Sequence, residues 1–333
     1  LVATESTRHA MYRVDASSGS RTKLDWPGWI VRDLDLAGDR FAVAASSPRH
    51  PSELFTAKLG GAPERRSHSN PLLDGVRLAR QEVVQWKGAD GLDIAGILTY
   101  PLDYEEGHRY PLTLLVHGGP EGVSLDGWTS DPLMPVQPLA ARGFVVLEPN
   151  YRGSGGRGVA FSQADHDDLG GKEFEDILAG IDMLAARGLI DPERVGSAGW
   201  SYGGYLSAWA ATRHSERFAA AIVCAGLTNW IAFAGTTDIP HEMALVHWNS
   251  YWFDRPELHW ERSPLAHLNR AATPTLIVHG LADDRVHPEQ SLQLYTGLRL
   301  KEVPTRLVEY PREPHGLNER AHRLDFVERV IDW

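Results

Sequence analysis

The chain is short of cysteine, of basic residues relative to acidic ones, and of long apolar runs, and each shortage excludes a class of protein. A single cysteine, Cys224, in 333 residues rules out an intrachain disulfide framework and leaves nothing for a thiolate metal site. It lies inside the apolar run from Ala219 to Ala225 and reads as a small buried hydrophobe. Lysine and arginine number 33 against 44 aspartates and glutamates, giving a formal net charge of -11. That balance argues against a phosphate-tracking surface, so no nucleic-acid partner is expected. No stretch approaches the roughly 18 apolar residues of a membrane helix, so no membrane partner is expected either. No initiator methionine and no basic-then-apolar signal segment stand at Leu1. The expectation is that the gene product begins further upstream, and that its compartment is a reducing cytoplasm, which fits the cysteine count.

What is present suffices for one large domain and a smaller piece, since 42% of the residues are hydrophobic. Residues 1–75 read as short antiparallel strands. Met11–Val14, Arg40–Ala45 and Glu53–Leu59 alternate in polarity and are bounded by Ser17-Ser18-Gly19-Ser20 and Gly60-Gly61. So few strands cannot close on themselves, and a propeller blade takes roughly 40 residues. The segment is therefore expected to be the C-terminal blade or blades of an incomplete β-propeller. Over residues 76–333 strand-like runs alternate with helical patterns, the mark of an α/β domain with a mostly parallel sheet and helices on both faces. The strands are placed at Leu112–Val116, Phe144–Glu148, Arg194–Gly199, Ala219–Cys224, Pro274–Val278 and Thr305–Tyr310. Helices are placed at Phe174–Arg187, about Tyr202–Thr212, Pro288–Leu298 and His322–Trp333.

Chemistry concentrates in Gly199-Trp200-Ser201-Tyr202-Gly203-Gly204, between a strand and a helix. Small residues two positions either side of a serine let the chain turn sharply and present the hydroxyl, as a nucleophile elbow requires. A serine needs a base and the base an orienting carboxylate, in the order Ser, acid, His for such a fold. Asp283 and Asp284 follow the strand ending at Val278, and spacing alone does not choose between them. His315, of 15 histidines, lies after the last strand and before the final helix. The arrangement describes a serine hydrolase on an α/β-hydrolase fold, with Ser201 as nucleophile. Its oxyanion donors are expected at the backbone N–H of Tyr202 and of Gly119, in the loop His117-Gly118-Gly119-Pro120. No metal and no organic cofactor are required.

Three patterns are set aside. Gly153-Ser154-Gly155-Gly156-Arg157-Gly158 matches G-x-G-x-x-G, but no helix is expected directly after it and no acidic strand end follows about 20 residues on. His241-Glu242 and His247 resemble a zinc helix with the second histidine one position too late. Trp248, Trp252 and Trp260 are read mainly as packing, with some available to wall a substrate pocket.

Together, His117–Pro120, Asn150-Tyr151-Arg152-Gly153-Ser154, Gly199–Gly204, Asp283-Asp284-Arg285-Val286 and Tyr310-Pro311 with His315-Gly316 resemble the prolyl oligopeptidase family of serine peptidases. The likeness is strongest to its acylaminoacyl-peptidase and dipeptidyl-peptidase-like branch. It covers the chain from about residue 80, and the first 75 residues resemble the closing blades of that family's propeller. The resemblance selects Asp283 as the orienting acid and His315 as the base. It gives Arg285 a carbonyl on the acyl side of the substrate to bind, the alternative being an ion pair with a neighbouring acid. It also implies a short peptide or aminoacyl amide as substrate and the propeller polypeptide of the same protein as partner. Some relatives carry a tyrosine hydroxyl where His117 stands, a donor this chain lacks. The expected function is a serine exopeptidase or oligopeptidase working through an acyl-enzyme. A carboxylesterase on the same fold and a non-catalytic binding protein are the rivals. Acylaminoacyl, dipeptidyl and aminopeptidase specificity are not separated by the sequence, and oligomeric state, a homo-oligomer included, stays open.

Overall fold

The computed structural model describes residues 1–333. Two small antiparallel sheets come first. Strands β1 (Val2–Glu5), β2 (Arg8–Val14) and β3 (Arg21–Lys23) form one; β4 (Ile30–Ala37), β5 (Arg40–Ser47), β6 (His50–Lys58) and β7 (Glu64–Arg65) form the other in sequential order. Their inward residues alternate along the strands, as a half-buried pleat dictates. Met11 of the first sheet joins Val31, Phe41, Val43, Ala45, Phe55 and Ala57 of the second in one small core.

Between β7 and the next strand the architecture changes. An eight-stranded sheet runs in the order β15-β14-β13-β12-β10-β11-β9-β8. Its members are β8 (Gln81–Lys87), β9 (Asp93–Thr99), β10 (Tyr110–Val116), β11 (Val145–Asn150), β12 (Ile190–Trp200), β13 (Ala220–Cys224), β14 (Thr275–Gly280) and β15 (Thr305–Tyr310). The six from β10 onward are mutually parallel, while β8 and β9 are antiparallel additions at one edge. Every residue of β11 and of β14 is buried, because helices cover both faces. All six strands expected from the sequence occur, with ends shifted by a few residues; β8 and β9 were not among them.

The covering helices include α1 (Val136–Ala141), the single turn α2 (Val159–Ser162), α3 (Lys172–Ala186) and α4 (Tyr202–Thr212). On α3, Phe174, Ile177, Ile181 and Leu184 make one buried stripe. Helix α4 is buried over its whole length and packs on β12 and β13. An insertion follows β13, with α5 (Trp230–Thr236), α6 (Pro240–Glu242), a π turn over Met243–His247 and α7 (Pro256–Glu261). Helices α8 (Glu289–Leu300) and α9 (Arg320–Asp332) flank β15 in sequence. No helix is long and apolar enough to cross a membrane.

One expectation is corrected here. A helical turn, α2, does begin directly after Gly158. It has four residues and leads into the turn before α3 rather than into a second nucleotide-binding strand. The chain reverses its direction of travel across the sheet at β10, with β11 on one side and β12 on the other. Such a switch point opens a crevice beyond the carboxyl ends of the strands. His117-Gly118-Gly119 leaves β10 there, and Ser201 leaves β12 beside it.

Candidate active site

Ser201 has φ 62° and ψ −121°, a backbone state that non-glycine residues hold only when their surroundings impose it. The surroundings here are tight. The Ser201 N–H donates to the Cys224 carbonyl at 2.9 Å. A Cβ on Gly203 would stand 1.9 Å from the Val116 carbonyl oxygen, one on Gly199 2.4 Å from that of Gly203, and one on Gly204 2.4 Å from that of Cys224. The glycines are thus required by backbone crowding, and the crowding fixes the serine at the apex. Cys224 itself is buried, and burial pushes its thiol pKa up.

The Ser201 hydroxyl lies 2.8 Å from His315 Nε2, and His315 Nδ1 lies 2.7 Å from Asp283 Oδ2. A carboxylate can only accept, so Nδ1 carries the proton and Nε2 is left to take the serine's. Asp283 is buried, and its carboxylate is fully engaged. Oδ1 accepts the N–H groups of Arg285 and Val286 at 3.0 and 2.9 Å. His279 Nε2 approaches Oδ2 at 3.3 Å while donating to the Val286 carbonyl at 2.7 Å, and its Nδ1 accepts from Ser291 at 2.6 Å. Burial alone would raise the Asp283 pKa; bonds from His279, His315 and the Val286 amide hold it well below the ordinary carboxylate range. Asp284 is exposed and does not reach His315.

The loop after β10 is braced by the segment after β11. Asn150 clamps Ser124 through both its backbone groups, at 2.7 and 2.9 Å. Tyr151 stacks on His117 with ring centroids 4.5 Å apart and donates to the His117 carbonyl at 2.9 Å. Ser154 meets His117 Nε2 at 2.9 Å. Arg152 is buried between Asp176 and Asp90, two carboxylates that match its fork. Burial pushes the His117 pKa down to about 4, so the ring is neutral at neutral pH and its Nδ1–H donates to the Gly118 carbonyl at 2.9 Å. Gly118 in turn touches the elbow: a Cβ there would lie 3.2 Å from that of Ser201. The N–H of Tyr202, first residue of α4, has no partner within its helix. Gly119 lines the same cavity as Ser201 and Tyr202.

A cavity of about 330 Å³ opens in front of Ser201 and His315. Leu227, Trp230, Phe233, Met243 and Val286 give it apolar walls, with Glu242 and Arg285 as charged members. Arg285 contributes Nε and Nη2 to the Asp238 carboxylate, leaving Nη1 uncommitted. The tryptophans singled out in the sequence lie elsewhere: Trp248 is buried behind Trp230, and Trp252 and Trp260 are exposed in part. His241 and His247 do not form a joint site, since His241 faces Tyr251 and His247 is buried near Glu121. Two trios of metal-competent side chains do occur, Glu121 with His166 and His247, and Glu313 with Glu319 and His322.

Sequence reasoning passed over His279, Trp230, Phe233 and Met243. His279 stands four residues before Asp283 at the end of a strand, a signal visible only once the strand end is known to hold the acid. The pocket residues come from an insertion without a motif.

Residues 132–333 match the prolyl oligopeptidase family. The chain belongs to this family. As a prolyl oligopeptidase family member it is 34% identical over 304 residues to the uncharacterized peptidase YuxL of Bacillus subtilis, across 90% of this chain and 46% of that protein. It is 30% identical over 353 residues to the acylamino-acid-releasing enzyme of Mus musculus, across 99% of this chain and 47% of that one. A solved structure of Pyrococcus horikoshii acylaminoacyl peptidase superposes with a TM-score of 0.87 at 25% identity, covering 98% of this chain and 52% of that chain. The chain spans about half the length of the curated relatives it matches.

Proposed function

We propose that this chain is the catalytic part of a serine peptidase that cleaves short peptides or acylaminoacyl amides, with an apolar residue on the acyl side of the scissile bond. The observation that carries this reading is the unbroken relay from Ser201 through His315 to Asp283, at 2.8 and 2.7 Å. Ser201 Oγ attacks the scissile carbonyl while His315 Nε2 takes its proton, and Asp283 stabilises the imidazolium that forms. Negative charge collects on the carbonyl oxygen and is met by the N–H groups of Tyr202 and Gly119. His315 then protonates the departing amine, and water, activated by the same imidazole, releases the acyl product. Trp230, Phe233 and Met243 receive the apolar side chain next to the broken bond. Arg285, held in place by Asp238, offers its remaining N–H groups to a substrate carbonyl on the acyl side. The two small N-terminal sheets are read as closing blades of a propeller whose other blades, as in relatives twice as long, act as its partner.

The test is hydrolysis of chromogenic amides by the assembly containing this chain. The panel holds a free aminoacyl, a free dipeptidyl and an N-acetyl-aminoacyl form of phenylalanine, each beside its ester. Preference for the acetylated amide is the expected result. Preference for a free amino terminus moves the assignment to an aminopeptidase or dipeptidyl peptidase, and turnover of esters alone moves it to a carboxylesterase. Ser201→Ala should lower kcat by roughly 10⁴–10⁶-fold with an unchanged melting temperature.

A further inference from the structure

Outside the catalytic relay, two buried imidazole nitrogens stand without any hydrogen-bond partner: His166 Nε2 and His247 Nδ1. Leaving such a group unpaired inside a protein is costly, and native structures rarely do so without a reason. The two rings face each other nearly at right angles, with centroids 5.6 Å apart. The third member of the group is Glu121, whose Oε1 lies 3.7 Å from His247 Nδ1, too far for a hydrogen bond. The three ligand atoms all lie within 4.8 Å of one another. The other metal-competent trio differs in this respect. Glu313 already accepts from His322 and from the N–H groups of Asn318 and Glu319, while Glu319 is bonded to Arg312. That trio is a satisfied network, and the first is not.

We propose that Glu121, His166 and His247 form a site for a divalent cation of the zinc class, which straps the oxyanion loop to the insertion that walls the substrate pocket. Two imidazoles and one carboxylate are a ligand set such a cation takes. With bonds near 2.0–2.1 Å, tetrahedral ligands stand about 3.4 Å apart. The carboxylate–imidazole edge is within a few tenths of an ångström of that, and small side-chain rotations close the remainder. Three protein ligands leave a fourth position for water. Glu121 is partly exposed and gives a way in, whereas His247 is only 1% exposed. The strap follows from chain position. Glu121 is two residues beyond Gly119, and His247 ends the π turn that begins at the pocket residue Met243. The Asp167 N–H already joins His166's neighbour to the His247 carbonyl at 2.7 Å. The near-miss zinc helix of the sequence thus supplies one ligand, to partners distant in the chain.

The experiment uses the whole chain, stripped with chelator and titrated calorimetrically with Zn²⁺, with Co²⁺ absorption as a second readout. Expected are one equivalent bound, visible d–d bands of a four-coordinate ion, and slowed amide exchange across residues 118–122 and 243–247. Glu121→Gln and His166→Gln should each weaken binding by at least about tenfold. Melting of the metal-free variants shows that they are folded. His108→Gln, which alters an exposed imidazole beside Glu105, should bind as the parent does. Absence of a unit-stoichiometry site, affinity within twofold of the parent in either ligand variant, or unchanged exchange in the two segments would each overturn the proposal.

Discussion

In the small N-terminal sheets the carboxylate of Glu53 lies under Arg65 at 2.9 Å and accepts from Ser67 and from the Ser69 N–H. Beneath the elbow of the large sheet, Glu173 has no cation, only the Gly170 N–H and the Tyr202 hydroxyl at 2.9 Å, and its second oxygen is unpartnered. The same residue type therefore titrates in opposite directions. Desolvation raises the Glu53 pKa, but the Ser67, Ser69 and Arg65 bonds outweigh it and bring it to about 2. Desolvation, followed by repulsion from Asp165, pushes Glu173 up to about 8. The difference teaches that burial sets the need for partners and that the partners' number and charge set the outcome. Asp283 supports this from within the large domain. It is as buried as Glu173 yet stays ionised, because two amides and two imidazoles face it.

The largest effect that would sharpen this comparison is at Asp283 itself. Asp283→Asn keeps the shape but removes the charge that selects the His315 tautomer. The kcat should fall roughly 10⁴-fold, about 5.5 kcal/mol of barrier. Steady-state kinetics on the preferred amide reads this out, and a loss below tenfold would mean that His279 or another group orients His315.

A second contrast concerns cohesion. The N-terminal core has seven buried residues, whereas the largest core of the eight-stranded domain has 32, and the smaller should melt separately. Phe55→Ala and Phe174→Ala should each cost about 3–5 kcal/mol. The expected outcome is asymmetric. Phe55→Ala should lower the early, N-terminal transition while labelling of Ser201 by a serine-reactive phosphonate persists; Phe174→Ala should lower the main transition and the labelling together. A single shared transition in both variants would show that the contacts from Arg8 to Asp126 and from Ser6 to Gly156 couple the two regions fully.

Much of the large domain was legible because its sequence is constrained by crowding. Gly199, Gly203 and Gly204 are dictated by carbonyl oxygens closer than a methyl group allows, and β10, β13 and β14 are largely apolar because both faces are covered. The order of Ser201, Asp283 and His315 follows from the sheet's topology. The choice between Asp283 and Asp284 did not come from spacing, since it depends on which side chain the turn points inward. Strands β8 and β9 escaped notice because β8 is an edge strand of mixed polarity and β9 a short apolar run interrupted by Gly96, neither of which carries a motif. The pocket walls of Trp230, Phe233 and Met243 depend on how an irregular insertion folds back, which no periodicity reports. The single turn α2 escaped because four residues carry no period at all.

The smallest effect is the most discriminating for the comparison of carboxylates. Glu53 has a folded pKa below the ordinary 4.5, so its stabilisation is present above about 4.5 and is lost as pH falls toward about 2. Glu173 is raised, and so is Glu148, pushed up to about 8 chiefly by burial. Their neutral forms stabilise the fold fully below about 4.5, and that contribution drains away as pH rises toward about 8. The two regions should thus weaken in opposite pH directions. Thermal scans from pH 3 to pH 9 should show the early, N-terminal transition falling in acid and the main transition falling from about pH 4.5 to about pH 8. Glu173→Gln should reduce the slope of the main transition in that window by up to about 1.4 kcal/mol per pH unit and leave the acid limb of the early one untouched. If neither Glu173→Gln nor Glu148→Gln reduces that slope, these carboxyls are ionised in the folded protein. Burial without a cation would then fail to explain how the elbow is supported.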